Sequence, residues 1–304
     1  MAKVSVTALR SVEIGVTNVE EQVNFYTNVW CVDPVGEARG GHYFRGTGPF
    51  HHILSLRQTP KACVLRIVFD AADRAAVDTL HAQVKAHGIA RIDAPAPLDW
   101  PGGGYGFGFK DPEDRNYAVV CGVADHAAGP DRPDRPRKLS HVNLNTSNND
   151  VSSGVLVDAL GFRLADETDV FRFLRCNTDH HSMVMGFKGG PTLNHIAFEM
   201  PNLDSVMRGA GRMRDHGYPI EWGPGRHGAG NNVFCYFVGP EEMPIEYTGE
   251  MMQVDESYKT GMPQDWKWPP RRLDRWGVCD FPSDRVKRAQ RLFRFSDDGW
   301  KIHA

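Results

Sequence analysis

The sequence predicts an α+β chain built from two tandem halves, each a sheet covered on one side by helices. Three observations carry this. FDAADRAAVDTLHAQVKAHG (69–88) can be laid on FEMPNLDSVMRGAGRMRDHG (198–217) without a gap, at an offset of 129. DPED (111–114) matches GPEE (239–242) at an offset of 128, and SVEIGVT (11–17) resembles HVNLNT (141–146). Matched segments in matched order indicate duplication of one module. Third, short apolar stretches of strand character flank both helical segments.

The elements follow from local patterns. VLRIVF (64–69), HIAFEM (195–200), VFCYFV (233–238) and PIEY (244–247) are expected to be strands. Val77, Leu80 and Val84 mark one face of a first helix, and Val206, Ala210 and Met213 mark one face of its counterpart. Each repeat ends in His-Gly, a cation in the last turn followed by the residue best suited to a left-handed cap. ADHAAGPDRPDRPRK (124–138) has three prolines and mixed charges, so it is expected to be an exposed linker. SDRVKRAQRLFRF (283–295) is a short amphipathic helix candidate in a tail that follows the repeat. The expected division is residues 1–130, 131–250 and a tail, 251–304. GGGYGFGF (102–109) lacks a following Lys-Ser/Thr and a helix start, so it is a turn before a strand rather than a phosphate loop.

Composition narrows the function. With 304 residues, 41% of them apolar, the chain can bury one large core or two medium ones. A formal charge of −3 offers no electrostatic case for nucleic acid or an anionic membrane. No apolar run reaches the roughly 18 residues of a membrane span, and the N-terminal MAKVSVTALR lacks the apolar core of a leader. Six scattered cysteines without a CxxC read as reduced thiols, so a cytoplasmic location is expected.

Among thirteen histidines, two share a context with one glutamate. His141 opens HVNLNT, His195 opens HIAFE, and Glu246 lies in PIEY, where an unpaired carboxylate facing a core would be costly. Three strands of one curved sheet can bring these side chains to one cation. Two imidazoles and a carboxylate with open positions form a facial triad of the kind used by Fe(II) oxygenases. The alternative is that all three are ordinary strand-end residues. At the matching places the first half has Ser11, Arg66 and Ala118, and an arginine cannot be a ligand. The proposed ligand set is therefore confined to the second half.

LSHVNLN (139–145), FLRCNTDHHSMVM (173–185), NHIAFE (194–199), GRHGAGNNVFCYF (225–237) and PIEYTGE (244–250) together resemble the type I extradiol catechol dioxygenases of the vicinal oxygen chelate superfamily. The resemblance covers the whole chain. It implies βαβββ modules paired within each half, with the second half catalytic. It implies Fe(II), occasionally Mn(II), on His141, His195 and Glu246. It implies that His181 is the acid–base histidine, that His227 and Tyr236 contact the substrate oxygen, and that Asn143 flanks the site. On the loop alone His227 would be a solvated histidine between glycines; its nine-residue spacing to Tyr236 favours the site.

If strand alternation runs through HHSMVM, His181 shares a face with Met183 and Met185, which are expected to be pocket wall or core, while His180 points away with Ser182. His51-His52 in GPFHHILSL is expected to be a strand or interface pair. Arg271 and Arg272 are expected to be a solvated charge run, with contact to an acidic substrate group as the alternative.

The implied activity is cleavage of a catecholic ring beside its diol, with both atoms of O2 inserted. The implied partners are a catechol, O2 and further copies of the chain in a homo-oligomer. Two competing classes are a glyoxalase-like isomerase or epimerase, which usually has another carboxylate ligand, and a metal-free binding protein, which needs no ligand set.

Overall fold

The computed structural model describes residues 3–127 and 129–303; Met1, Ala2, Ala128 and Ala304 lie outside the described residues, so the linker is seen except at Ala128. Its first sheet contains β1 (Ala8–Val16), β2 (Asp33–Ala38), β3 (Gly41–Arg45), β4 (Leu54–Gln58), β5 (Cys63–Asp70), β6 (Ala96–Pro97), β7 (Tyr105–Lys110) and β8 (Asn116–Cys121). Helices α1 (Val19–Asn24) and α2 (Arg74–Ala86) follow β1 and β5. The second sheet contains β9 (Lys138–Asn145), β10 (Arg163–Glu167), β11 (Phe171–Arg175), β12 (Met183–Gly186), β13 (Thr192–Met200), β14 (Trp222–Arg226), β15 (Val233–Val238) and β16 (Pro244–Gly249). Here α3 (Asn149–Gly154) follows β9 and α4 (Leu203–Asp215) follows β13.

Strand order is β2-β3-β4-β1-β5-β8-β7-β6 in one sheet and β10-β11-β12-β9-β13-β16-β15-β14 in the other. The second order is the first with eight added to every label. Each sheet is therefore two βαβββ modules joined by one antiparallel central pair, β1 with β5 and β9 with β13. These central strands are buried almost throughout, although they carry polar side chains such as Arg10, Glu13, His141 and Asn143 among the apolar ones.

The local signals act as expected at both long helices. Val77, Leu80 and Val84 are buried, as are Val206, Ala210 and Met213. Asp73 and Asn202 cap the N-termini by accepting from Ala76 and Ser205 N–H groups. His87 and His216 close the helices, and Gly88 and Gly217 then take φ +88° and +84°.

The halves share one continuous hydrophobic core. Trp30 is its pivot, stacked on Tyr247 with ring centroids 3.7 Å apart and 6° between planes. The Tyr247 hydroxyl donates to the Trp30 carbonyl at 2.7 Å. The linker is largely exposed, but its end is fixed where Thr47 and Gly48 N–H groups donate to Pro136 and Arg137 carbonyls.

The tail differs from expectation. Helix α5 spans only Asp284–Ala289, not 283–295. Leu193 and Val64 N–H groups take the carbonyls of Phe293 and Arg294, and Phe295 bridges to Val64. Those inter-element bonds draw the chain out of the helix and lay it across both halves. Among the described residues, no helix is long and apolar enough to cross a membrane.

Candidate functional site

The strand register brings the three predicted ligands together. His141 on β9 pairs with Ala197 on β13, and Ala197 pairs with Glu246 on β16. His195 lies two residues before Ala197 on the same strand, so all three side chains reach one point. His141 Nε2 is 3.2 Å from His195 Nε2 and 3.2 Å from Glu246 Oε2, and His195 Nε2 is 3.0 Å from the same oxygen. Three ligands about 2.1 Å from a cation lie about 3.0–3.4 Å apart, so these three atoms would fit around one divalent cation.

The donor atoms are also prepared for a cation. Both Glu246 oxygens are buried without a hydrogen-bond donor aimed at them, a costly state unless something cationic completes it. The Asn194 amide oxygen accepts from His195 Nδ1 at 2.8 Å, which directs the Nε2 lone pair into the triangle. Burial works to raise the Glu246 carboxyl, but His141 and His195 hold it well below the ordinary carboxylate range. Burial lowers His195, with Glu246 opposing. The site thus favours a carboxylate at Glu246 and an unprotonated His195 imidazole, the forms that bind a divalent metal.

A cavity of about 500 Å3 opens over the triangle. His141, Asn143, His181, His195, His227 and Tyr236 all line it. His227 Nε2 is 3.1 Å from the Tyr236 hydroxyl and 3.9 Å from Glu246 Oε1. Burial, chiefly, takes His227 down to about 4, and burial with Glu246 nearby pushes the Tyr236 phenol well up. Both are therefore neutral hydrogen-bonding groups near pH 7. Asn143 Oδ1 is buried with no partner of its own. Phe171, Phe173 and Val184 supply apolar wall, and the tail adds Trp266 and Trp268.

The histidine pair departs from simple alternation. β12 begins only at Met183, so His180 and His181 lie outside the strand. Their Nδ1 atoms are 3.0 Å apart and their rings stand at 90°. Val184 lines the cavity, whereas Met183 and Met185 are packed in the core. Of the two places expected for Met183 and Met185, pocket wall or core, they take the core and do not share a face with His181, because the period-two pattern does not extend back to residue 181.

Sequence reasoning missed what stands behind the pair. Asp166 on β10 is wholly buried and its Oδ2 is 2.7 Å from His180 Nε2. The same carboxylate accepts from the Tyr258 hydroxyl at 3.1 Å and from Gly261 N–H at 2.7 Å. A carboxylate with these donors orients His180 with Nε2–H toward Asp166. A neutral His180 then presents Nδ1 as acceptor, His181 donates Nδ1–H, and His181 Nε2 becomes the acceptor of its ring. Burial first, then the surrounding histidines, lowers His181 well below its ordinary value. A possible signal was the acid in RLADE, but nothing in a five-residue strand reveals that its side chain turns inward. Arg271 is exposed and Arg272 half-buried, and neither lines the cavity.

Comparison with known proteins places these features in context. The model of the Glyoxalase/Bleomycin resistance protein/Dioxygenase superfamily matches residues 8–119 and 138–247. Metapyrocatechase 2 of Cupriavidus necator is 34% identical over 119 residues, which is 38% of this chain and only 37% of that protein. A manganese-dependent 2,3-dihydroxybiphenyl 1,2-dioxygenase of Geobacillus genomosp. 3 is 26% identical over 73% of this chain and 78% of its own length. The crystal structure of a Mn(II)-bound glyoxalase from Novosphingobium aromaticivorans superposes with a TM-score of 0.85 at 38% identity, covering 93% of this chain and 94% of that one.

Proposed function

The chain belongs to the Glyoxalase/Bleomycin resistance protein/Dioxygenase superfamily, and from that premise we propose that it is an extradiol dioxygenase that opens a catecholic ring beside its diol. One observation carries the reading. The His141/His195/Glu246 triangle shares a cavity with the acceptor nitrogen of His181 on one side and the His227–Tyr236 pair on the other. The two dioxygenases named above support it.

A divalent cation on the three ligands would supply Lewis acidity and adjacent open positions for a diol and O2. We assign it as Fe(II). The manganese-dependent and Mn(II)-bound relatives support Mn(II) as the alternative.

The chain's own residues divide the remaining work. Tyr236 and His227 hydrogen-bond a substrate oxygen and hold it in the plane of the ring. His181 Nε2 accepts a proton from the second hydroxyl and returns it later, a transfer suited to an imidazole. The Asp166–His180 pair holds His181 in the tautomer that can do so. Asn143 flanks the oxygen side. Phe171, Phe173, Val184, Trp222, Trp266 and Trp268 exclude water and hold an aromatic ring.

The 38% identity to a protein named a glyoxalase supports a second reading, an isomerisation that uses the same cation without consuming O2. One experiment separates them. Protein purified without oxygen is loaded with Fe(II), given catechol and then air. Oxygen uptake with a yellow ring-fission product is expected; no uptake across a broad catechol panel would remove the dioxygenase reading.

A further inference from the structure

The first half keeps the shape of the catalytic cup while changing its chemistry. Glu13 pairs with Arg66 across β1 and β5, as Asn143 pairs with His195 across β9 and β13. Val68 pairs with Ser11 and Ala118, as Ala197 pairs with His141 and Glu246. Arg66 therefore occupies the place of His195, Glu13 that of Asn143, and Ser11 and Ala118 those of the other two ligands. Tyr43, opposite Gly36, occupies the place of Phe173, opposite Asp166. Trp100 lies in the turn between β6 and β7, as Gly228 does between β14 and β15.

This second cup retains a cavity of about 230 Å3, lined by Arg39, Tyr43, Arg57, Arg66, Trp100 and Lys301. Four of those six side chains are cationic. Their inner counter-charge is the buried Glu13 carboxylate, 2.7 Å from Arg66 Nε and 3.1 Å from Arg57 Nε. Among the described residues, Asp99 pairs with Arg39 and Asp298 with Lys301, and their side chains are 88% and 80% exposed. The cavity interior thus carries an excess of positive charge, and low-dielectric walls focus it. Its flat surfaces are Tyr43 and Trp100, with the Arg66 guanidinium 5.6 Å from the Trp100 ring centre.

The tail completes the cup. A Cβ on Gly108 would lie 1.8 Å from the Trp300 carbonyl oxygen, and Gly108 faces Ala118 as Tyr236 faces Glu246. The C-terminal segment therefore fills the space that Tyr236 takes in the other half. It is pinned by Ile302 N–H donating to Asp93 Oδ2 at 2.8 Å, and it delivers Lys301 to the cavity.

We propose that this cup binds a small planar organic anion of the arene carboxylate class, independently of the cation in the other half. Arginine forks match a carboxylate, and the tryptophan and tyrosine faces match a ring. The volume lies below the roughly 300 Å3 at which drug-sized ligand sites begin, which limits the ligand to about one ring.

The test is calorimetric titration of the full-length, metal-loaded protein with benzoate, repeated after EDTA and again with sulfate. Saturable benzoate binding should survive EDTA unchanged. Lys301→Gln and Arg57→Gln should each weaken it at least 5-fold, and Trp100→Ala should weaken benzoate while leaving sulfate unaffected. The Lys301 side chain is half exposed, so K301Q tests the site even if R57Q unfolds. Binding that disappears with EDTA would place benzoate in the catalytic cavity and overturn the proposal. So would binding indifferent to Lys301→Gln and Trp100→Ala, or no saturable binding up to about 10 mM.

Discussion

Asp166 Oδ2 lies 2.7 Å from His180 Nε2, with both side chains wholly removed from solvent. The first half provides an internal control for what this pair does. His51 and His52 occupy the places of His180 and His181, with Nδ1 atoms 3.2 Å apart and rings at 82°. Tyr43 meets His52 edge-on at 5.0 Å, as Phe173 meets His181 at 5.1 Å. At the place of Asp166, however, stands Gly36. Among the described residues, the first half has the histidine pair but no carboxylate at the place of Asp166.

Asp166→Asn should therefore lower kcat/KM by about 10- to 100-fold, the range seen when supporting partners of metal-site residues are lost. Metal content, measured by atomic emission, should stay at the wild-type stoichiometry. Because the asparagine amide can donate to His180 and reverse its tautomer, the pH–rate profile should also change shape. Wild-type turnover in Asp166→Asn would reject the relay.

His181→Ala should keep its cation and lose about 10²- to 10⁴-fold in turnover, the usual contribution of a positioned acid–base group. His180→Ala should lose less, since His181 remains in the cavity. His52→Ala should leave turnover within about 2-fold, because its cup lacks the ligand set. Equal losses in His181→Ala and His52→Ala would point to a packing role for both.

The triangle itself predicts a stability response. A ligand that binds only the folded state stabilises it by about 2.7 kcal/mol at 100 times its Kd. Adding Fe(II) or Mn(II) to chelated protein should raise Tm by several degrees. His195→Ala should abolish the rise, and its loss of metal should be visible without any activity assay. A rise that persists in His195→Ala would move the cation elsewhere.

These contrasts show what was legible in the sequence. The triad could be read because His141, His195 and Glu246 open or occupy strands and have no counterparts in the repeat. The equivalence of His51-His52 with His180-His181 was also present, since 180 − 51 = 129, the offset of the long helices. Its meaning is hidden at the level of sequence because no ligand set stands beside His51-His52. Asp166, Trp266 and Trp268 were not legible. Their roles depend on the tail, which bonds to β10 at Gly261 and packs Trp266 and Trp268 against Gly228, and no local periodicity encodes that approach. The face expected to join His181 to Met183 and Met185 failed for the opposite reason, a local rule extended beyond the strand that obeys it.

The repeat also produces a reciprocal clasp whose pH response can be measured. Glu113 Oε1 accepts from Ser147 and Asn148 N–H groups at 2.6 and 2.8 Å, ahead of α3. Glu241 Oε1 accepts from Thr17 and Asn18 N–H groups at 2.8 and 3.0 Å, ahead of α1. Each half thus caps a helix of the other. The symmetry is broken at the second oxygen. Glu113 Oε2 accepts from Arg115 at 2.6 Å and from Ser152, whereas Glu241 Oε2 is buried without a donor. Burial works to raise Glu113, but Ser152, Arg115 and the Asn148 N–H outweigh it and hold the carboxyl below its ordinary value of 4.5. A carboxyl held low when folded stabilises the protein fully above its unfolded pKa, and that contribution is lost as pH falls through the folded pKa. Glu113→Gln should therefore cost about 1–3 kcal/mol at pH 7, and the gap from wild type should close as the medium is acidified below about pH 4. Glu241→Gln should cost less, since its inner oxygen has no donor to lose. Urea melts of the three proteins from pH 7 to pH 3 would decide it; a Glu113→Gln penalty that does not shrink in acid would show that the clasp is not held by charge.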